Sequence, residues 1–245
     1  FVFIIRDYAG EIPGIMKFLF VYLAILAVAY ATTEDYCYKD VHHLCKLASK
    51  DKKDQKGLSN CNAKYGAIQV ILPDLQQYVN THITRNFEYM LMSTHFGNYE
   101  KSREGFEKLF MELSDSKWDT AIDLIKYITK RGGEMKFDEF KPDTVNDKDS
   151  IYELYEINSL AKALDIEKEL ALRAHHIHGE ATRRREIYHD PEISSYIENE
   201  FVHKHAETIR KLSGYTSDLN SLLSSPDSSL ALYVFDDYLK KQSIV

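Results

Sequence analysis

Four long stretches of helical periodicity, with one unusually long connection between two of them, constrain the fold of this 245-residue chain most strongly. The stretches cover approximately residues 72–96, 103–131, 151–185 and 191–222. The second ends at Gly132-Gly133, and residues 134–150 then form the long connection. A connection of that length suits a helical bundle in which the second and third helices start at the same end.

Composition supports the same architecture. With only 10 glycines and 5 prolines, the chain favours long helices over a turn-rich β structure. We therefore predict an all-α four-helix bundle with one long crossover and a short fifth helix in "LALYVFDDYLKK". In the first helix an apolar stripe at four- and three-residue steps predicts the core-facing side chains. These are Leu75, Val79, Ile83, Phe87 and Met90.

The N-terminal residues are predicted to lie outside this bundle. Residues 16–31 combine one lysine, an apolar run and small residues before Ala31, which is the layout of a secretory signal peptide. The alternative is a transmembrane anchor, but the apolar run from Phe18 to Ala31 is only fourteen residues long, short for a bilayer. Residues 1–15 are interpreted as an untranslated leader before the initiator Met16. We expect the mature chain to be secreted, or to reside in the secretory pathway, without a membrane segment.

All three cysteines lie in the polar extension 32–70 that precedes the bundle at 71–245. They are Cys37, Cys45 and Cys61. In a secretory compartment, clustered cysteines indicate disulfides, and an odd number leaves one thiol for a partner chain. Zinc binding with His42 and His43 is the alternative, although the spacing fits no standard finger. The sequence alone does not give the connectivity.

Charge narrows the range of partners. The formal net charge of −7 argues against a nucleic-acid binder, which usually carries a basic surplus. Acidic residues recur at helical spacing along the second helix, at Glu112, Asp115, Asp119 and Asp123. A solvated helix face is the commonest explanation for such a stripe, and a metal site is the alternative.

Bundles with this crossover often hold a di-iron centre built from glutamates and Glu-x-x-His pairs. Such a centre needs several negative oxygen ligands to hold two hard cations close together. On the second helix the expected pair is absent, and the inward positions are Ser116, Lys117 and Thr120. A lysine ammonium has no lone pair with which to ligate a metal.

Five consecutive motifs in this chain resemble signatures of the ferritins, over about residues 72–240. They are "RNFEYMLMSTHF", "KYITKRGG", "ALDIEKELALRAHHIH", "DPEISSYIENEF" and "LALYVFDDYL". Among ferritins the chain looks most like the light-chain-like subunit of secreted insect ferritin. The resemblance implies a ferritin-like bundle and a hollow twenty-four-subunit shell shared with heavy-type subunits. It also implies iron, stored as a ferric mineral, as the cargo.

The resemblance also identifies the positions of a ferroxidase centre. In chain order they are His82, Tyr89, Ser116, Lys117, Thr120, Glu167 and His205. Only Tyr89 and Glu167 keep the residue types of that centre, which are too few ligands for two irons. We therefore expect no ferroxidase activity. A di-iron oxidase with an unorthodox site and a helical carrier protein without iron are the alternatives.

Light chains of the family fill the empty centre with a lysine–glutamate pair, and Lys117 and Glu167 occupy the matching positions. A lone Glu167 in a bundle core would be a buried unpaired charge, so we predict a salt bridge between the two residues. The alternative is that both side chains reach solvent separately.

The resemblance gives the acidic stripe a role as well. Cavity-facing carboxylates of light chains help ferric mineral to nucleate, and Glu112, Asp115 and Asp119 match three of these positions. Ser116 replaces the fourth, and Asp123 is interpreted as surface.

Three further features are weaker. Glu198 matches an acid of the three-fold iron-entry channel, but the companion aspartate position is Ser195. Three clustered histidines, His175, His176 and His178, are interpreted as surface or subunit-contact residues. The same interpretation applies to the basic run 183–185.

Overall fold

The computed structural model of the chain describes residues 37–47, 58–136, 155–183 and 189–244. These residues divide into one unit that ends at Asn62 and a second that begins at Ala63. Within the described ranges no helix is long and apolar enough to cross a membrane. The predicted leader 1–15, the predicted signal peptide 16–31 and most of the predicted crossover lie outside the described residues.

The described part of the N-terminal unit contains a short helix, α1 (Cys37–Leu47), and a disulfide. The disulfide joins Cys37 to Cys61, whose Cα atoms are 4.5 Å apart. A hydrogen bond also links the two segments that the disulfide joins: the Asp40 carboxylate accepts from the backbone N–H of Asn60 at 2.9 Å. The prediction of a disulfide is thus confirmed, and the side chain of Cys45 lies outside the described residues.

The second unit is built from α-helices. They are α2 (Ile68–Phe96), α3 (Glu104–Lys130), α4 (Glu156–Ala181), α5 (Pro191–Ile197), α6 (His203–Leu223) and α7 (Ser228–Lys241). A π-helical segment, Glu198–Val202, joins α5 to α6, so these three pieces together form the fourth long helix. Helix α2 packs along α3, α4 packs along α6, and α7 packs on α3 and α6. The predicted four-helix bundle with a short fifth helix is confirmed.

Two helix bounds differ from the sequence prediction. Helix α2 begins at Ile68 rather than near residue 72. The helix starts earlier because Ile68 and Ile71, each 1% exposed, pack in the core, so the turn before residue 72 is also helical. The third long helix is shorter than the predicted 151–185, because its described helical residues run only from Glu156 to Ala181.

The predicted apolar stripe on α2 faces the core at its first three residues, where Ile83 packs partly buried against the core, but not at its last two. Leu75 and Val79 are fully buried, but Phe87 is 50% exposed and Met90 is 36% exposed. Each four-residue step advances a side chain by about 40° around the helix, so a run of such steps rotates away from the core. The buried face of α2 continues instead through Tyr89 and its neighbours.

Helix α7 is held to the bundle through the start of α3. The buried carboxylate of Asp236 accepts hydrogen bonds from the backbone N–H groups of Gly105 (3.0 Å) and Phe106 (3.1 Å). It thereby satisfies two of the unpaired donors of the first turn of α3. Gly105 permits this approach, since a Cβ there would lie 2.0 Å from the Asp236 carbonyl oxygen.

A buried arginine joins the ends of three helices. Arg131, just after α3, pairs with Asp190 at 2.8 Å and with Glu192. Asp190 is the N-cap of α5 and also accepts a hydrogen bond of 3.0 Å from the backbone N–H of Ala67, just before α2. The guanidinium lies over the ring of Tyr65, 4.1 Å from its centroid. This cluster fixes one end of the bundle.

Candidate functional site

The centre of the bundle holds one polar side chain from each long helix. Tyr89 comes from α2, Lys117 from α3, Glu167 from α4 and His205 from α6. All four are almost fully buried, and Glu167 is 0% exposed. A buried carboxylate must be paired or neutralised, so its contacts decide the chemistry of this site.

Three hydrogen-bond donors contact the carboxylate of Glu167. The Lys117 ammonium lies 2.9 Å from both carboxylate oxygens. The hydroxyl of Tyr89 donates to Oε1 at 3.0 Å, and Nδ1 of His205 lies 2.9 Å from Oε2. The predicted salt bridge between Lys117 and Glu167 is therefore present.

These contacts keep Glu167 ionised. Burial alone raises the pKa of this carboxyl, but the Lys117 ammonium and the hydrogen bonds from His205 and Lys117 outweigh burial. The pKa of Glu167 is lowered to about 2. The site is thus a neutral ion pair with two further donors on the carboxylate.

His205 extends the network to a second tyrosine. Its Nε2 lies 2.9 Å from the hydroxyl of Tyr78, which also lies 3.2 Å from the carbonyl of Leu170. Burial, together with the nearby Lys117 ammonium, lowers the pKa of His205 below its ordinary value. We therefore assign a neutral ring that donates from Nδ1 to Glu167 and accepts at Nε2 from Tyr78.

His82, on α2, lies beside this network without joining it. Its ring is 0% exposed, and neither ring nitrogen has a hydrogen-bond partner within the described part of the chain. The ring packs edge-on against Tyr78, with centroids 4.5 Å apart. Burial and the Lys117 ammonium hold its pKa well below the ordinary value, so it is a neutral core residue.

The site does not fit two metal ions. The Lys117 ammonium contacts both oxygens of Glu167, the one buried carboxylate of the cluster. On the same helix the Thr120 hydroxyl donates to the backbone carbonyl of Ser116 at 2.7 Å. Across the described ranges, no three His, Cys, Asp or Glu side chains are grouped so as to hold a metal ion.

The acidic stripe of α3 divides into three environments. Asp115 and Asp119 are exposed, and neither makes a hydrogen bond or ion pair with another described residue. Asp123 is also exposed and pairs with Lys126 at 2.9 Å. Glu112 is only 25% exposed and is bound by other parts of the chain.

Two of the remaining candidate residues, Glu198 and His178, lie close together near the start of the fourth long helix. Glu198 lies in the π-helical segment, and its Oε2 is 3.9 Å from Nε2 of His178. His178 also lies 3.2 Å from the hydroxyl of Ser194. His175 and His176 are exposed. Sequence reasoning missed both the π-helical segment and the proximity of His178 to Glu198, and no residue pattern in 198–202 signals such a segment.

Comparison with known proteins decides the family. The profile of the ferritin-like domain family matches residues 74–222. The chain belongs to the ferritin family. Among curated ferritins, the ferritin light chain of Trichoplusia ni is 44% identical over 223 residues, which cover 89% of this chain and 95% of that relative. The ferritin light chain of Drosophila melanogaster is 41% identical over 233 residues, which cover 93% of this chain and 100% of the relative.

Solved ferritin structures agree with the fold of this chain. The crystal structure of Trichoplusia ni secreted ferritin matches with a TM-score of 0.74 and 44% identity, and the match covers 85% of this chain and 100% of that one. This ferritin therefore has the ferritin-like bundle that its sequence motifs imply.

Proposed function

We propose that this ferritin chain is a light-type subunit without ferroxidase activity, in a secreted twenty-four-subunit shell shared with heavy-type subunits. The shell stores iron as a ferric mineral, and a role in iron transport is compatible with its secretion. The observation that carries the proposal is the buried ion pair of Lys117 and Glu167 at the centre of the bundle.

Oxidation of Fe(II) at a di-iron centre needs several anionic ligands, and the described residues at the centre of this bundle supply one carboxylate, that of Glu167. One carboxylate cannot balance the charge of two hard dications, and Lys117 adds a positive charge 2.9 Å from its oxygens. A heavy-type partner supplies the oxidation step in this division of labour. This chain contributes its helical bundle to the wall of the shell, together with the carboxylates of α3.

Those carboxylates are suited to the first steps of mineral growth. Fe(III) is a hard cation that favours oxygen ligands, and exposed aspartates bind it without completing its coordination shell. Asp115 and Asp119 have the required exposure, and Glu112 lies next to them on the same helix. Glu198 is the candidate for guiding iron toward the shell interior, and its exposed side chain supports that assignment.

Secretion is supported by two independent observations. A disulfide joins Cys37 and Cys61, and such bonds persist in oxidising compartments. The similar solved structure is that of a secreted ferritin.

The test compares Fe(II) oxidation and mineral formation by three preparations. They are the chain alone, a ferroxidase-competent ferritin subunit alone and mixed shells. We expect the chain alone to oxidise Fe(II) no faster than buffer, and mixed shells to form mineral more efficiently per ferroxidase subunit than the partner alone. Rapid, saturable oxidation by the chain alone would refute the assignment and favour the ferroxidase alternative.

A second set of variants isolates the nucleation role in mixed shells. Asp115→Asn combined with Asp119→Asn removes two unpartnered carboxylates of α3. Asp123→Asn is the matched control, because it removes an exposed carboxylate of the same helix that already pairs with Lys126. We expect slower mineral formation in the double variant, at an unchanged rate of Fe(II) oxidation, and wild-type behaviour in the control. Equal mineral formation by wild type, the double variant and the control would show that the acidic stripe does not nucleate mineral.

A further inference from the structure

The segment that follows α7, residues 242–244, is bound along the bundle. The Ile244 side chain is 2% exposed and packs in the core. Its carbonyl accepts a hydrogen bond of 2.9 Å from the Lys211 ammonium of α6. On α3, the Lys108 ammonium donates to the carbonyls of Lys240 (3.0 Å) and Gln242 (2.7 Å). Both flanking helices thus hold this segment, which we call the tail segment.

The tail segment binds Glu112 through the carboxylate itself. Oε2 of Glu112 accepts a hydrogen bond of 3.0 Å from the backbone N–H of Ile244 and one of 3.2 Å from the hydroxyl of Ser243. Oε1 lies 3.6 Å from the Lys108 ammonium. Both oxygens of Glu112 therefore have partners, unlike those of Asp115 and Asp119.

We propose that the tail segment is a reversible cover of Glu112 that competes with ferric iron for its carboxylate. This inference rests on the proposed nucleation role of α3. An oxygen that accepts two hydrogen bonds must give up part of that bonding to ligate a hard cation, so iron binding at Glu112 and tail docking oppose each other. Opposed binding is reciprocal: iron weakens tail docking by the same factor by which the docked tail weakens iron binding.

The geometry predicts two forms of the acidic stripe. With the tail segment docked, Asp115 and Asp119 are the carboxylates of the stripe that have no partner among the described residues. With it released, Glu112 lies one helical turn before Asp115 and adds a third carboxylate to the same stripe. Nucleation accelerates when the third ligand becomes available, so the tail sets how readily an iron-poor shell begins a mineral core.

The test uses assembled mixed shells with variants of the tail segment. Ile244→Asp expels the buried side chain and releases the segment. Gln242→Asp is the matched control, because it adds the same charge to the same segment but leaves Ile244 in place. Lys211→Gln removes an anchor that lies outside the segment, and it serves as a second releasing variant where Ile244→Asp fails to assemble. Each is measured with and without Glu112→Gln.

The inference predicts a roughly fivefold shorter lag before mineral growth in the releasing variants, at the lower end of typical couplings between binding events. Glu112→Gln must abolish that gain, yet have little effect when the tail is docked. In wild-type shells, amide hydrogen exchange at residues 242–244 must rise on iron loading, and Glu112→Gln must prevent the iron-dependent rise.

Three results overturn the inference, and they are distinguishable. Unchanged lag in the releasing variants, together with slower mineral growth in the Asp115 and Asp119 variants, rejects the cover but keeps the nucleation site. Unchanged mineral growth in every acid variant rejects the nucleation site, and the cover with it. A shorter lag that persists in Glu112→Gln would also reject the cover, because release would then act through something other than Glu112.

Discussion

Replacing Lys117 by methionine tests whether the buried ion pair stabilises the bundle. The substitution keeps most of the side-chain volume and leaves Glu167 as a buried carboxylate without its cation. Removing one partner of a buried ion pair costs about 3–5 kcal/mol. Tyr89 and His205 still donate to the carboxylate in the variant, at 3.0 and 2.9 Å, so we expect the lower end of that range.

A loss of about 3 kcal/mol corresponds to a fall in Tm of roughly 6–12 °C for a chain of this size. The assay is thermal unfolding of purified shells of the variant and of wild type, followed by circular dichroism at neutral pH. Lys126→Met is the matched control. Lys126 is on the same helix and pairs with Asp123, but it is 70% exposed, so its loss costs at most about 1 kcal/mol.

The double variant Lys117→Met with Glu167→Gln completes the test. Replacing both charges of a buried pair by neutral groups of similar volume is often close to neutral, so most of the lost stability should return. A Tm for Lys117→Met within 2 °C of wild type would show that the ion pair does not stabilise the bundle. So would a double variant that is less stable than the single one.

Three further predictions follow from the same structure. The pKa of Glu167 is lowered from 4.5 to about 2, so its stabilising contribution is complete above pH 4.5 and is lost between pH 4.5 and 2. Glu167→Gln should therefore flatten the dependence of Tm on pH between these values. Gly105→Ala places a Cβ 2.0 Å from the Asp236 carbonyl oxygen and should loosen α7, seen as faster amide exchange in that helix, whereas Gly179→Ala, with open space around it, should not. Asp190→Ala removes a helix N-cap and the buried partner of an arginine, and should lower the stability by about 3 kcal/mol or more in denaturant unfolding; a loss below 1 kcal/mol would show that the cluster contributes little.

The sequence predicted the fold because helix length, the Gly-Gly stop and the long crossover are local properties. It failed where local rules conflict with packing. The periodic apolar residues predicted a helix start near residue 72, yet buried Ile68 and Ile71 extend the helix before it. A stripe at four-residue steps placed Phe87 in the core, but helical geometry turns that side chain to the surface.

The centre of the site was only partly predictable. The pairing of Lys117 with Glu167 followed from the family resemblance and from the cost of an unpaired buried charge. The contribution of His205 did not, since nothing local in the sequence places its ring nitrogen 2.9 Å from a carboxylate 38 positions away. The same limit applies to Glu112, whose contact with Ile244 joins residues 132 positions apart. Such contacts are set by the tertiary fold.

Anomalous diffraction at the iron absorption edge, from crystals of the chain soaked in iron, would show which carboxylates of this subunit bind iron. We expect no iron within bonding distance of Glu167, because the Lys117 ammonium already contacts both of its oxygens, and we expect iron beside Asp115 and Asp119. Iron bound to Glu167 with Lys117 displaced would instead indicate a ferroxidase site in this subunit.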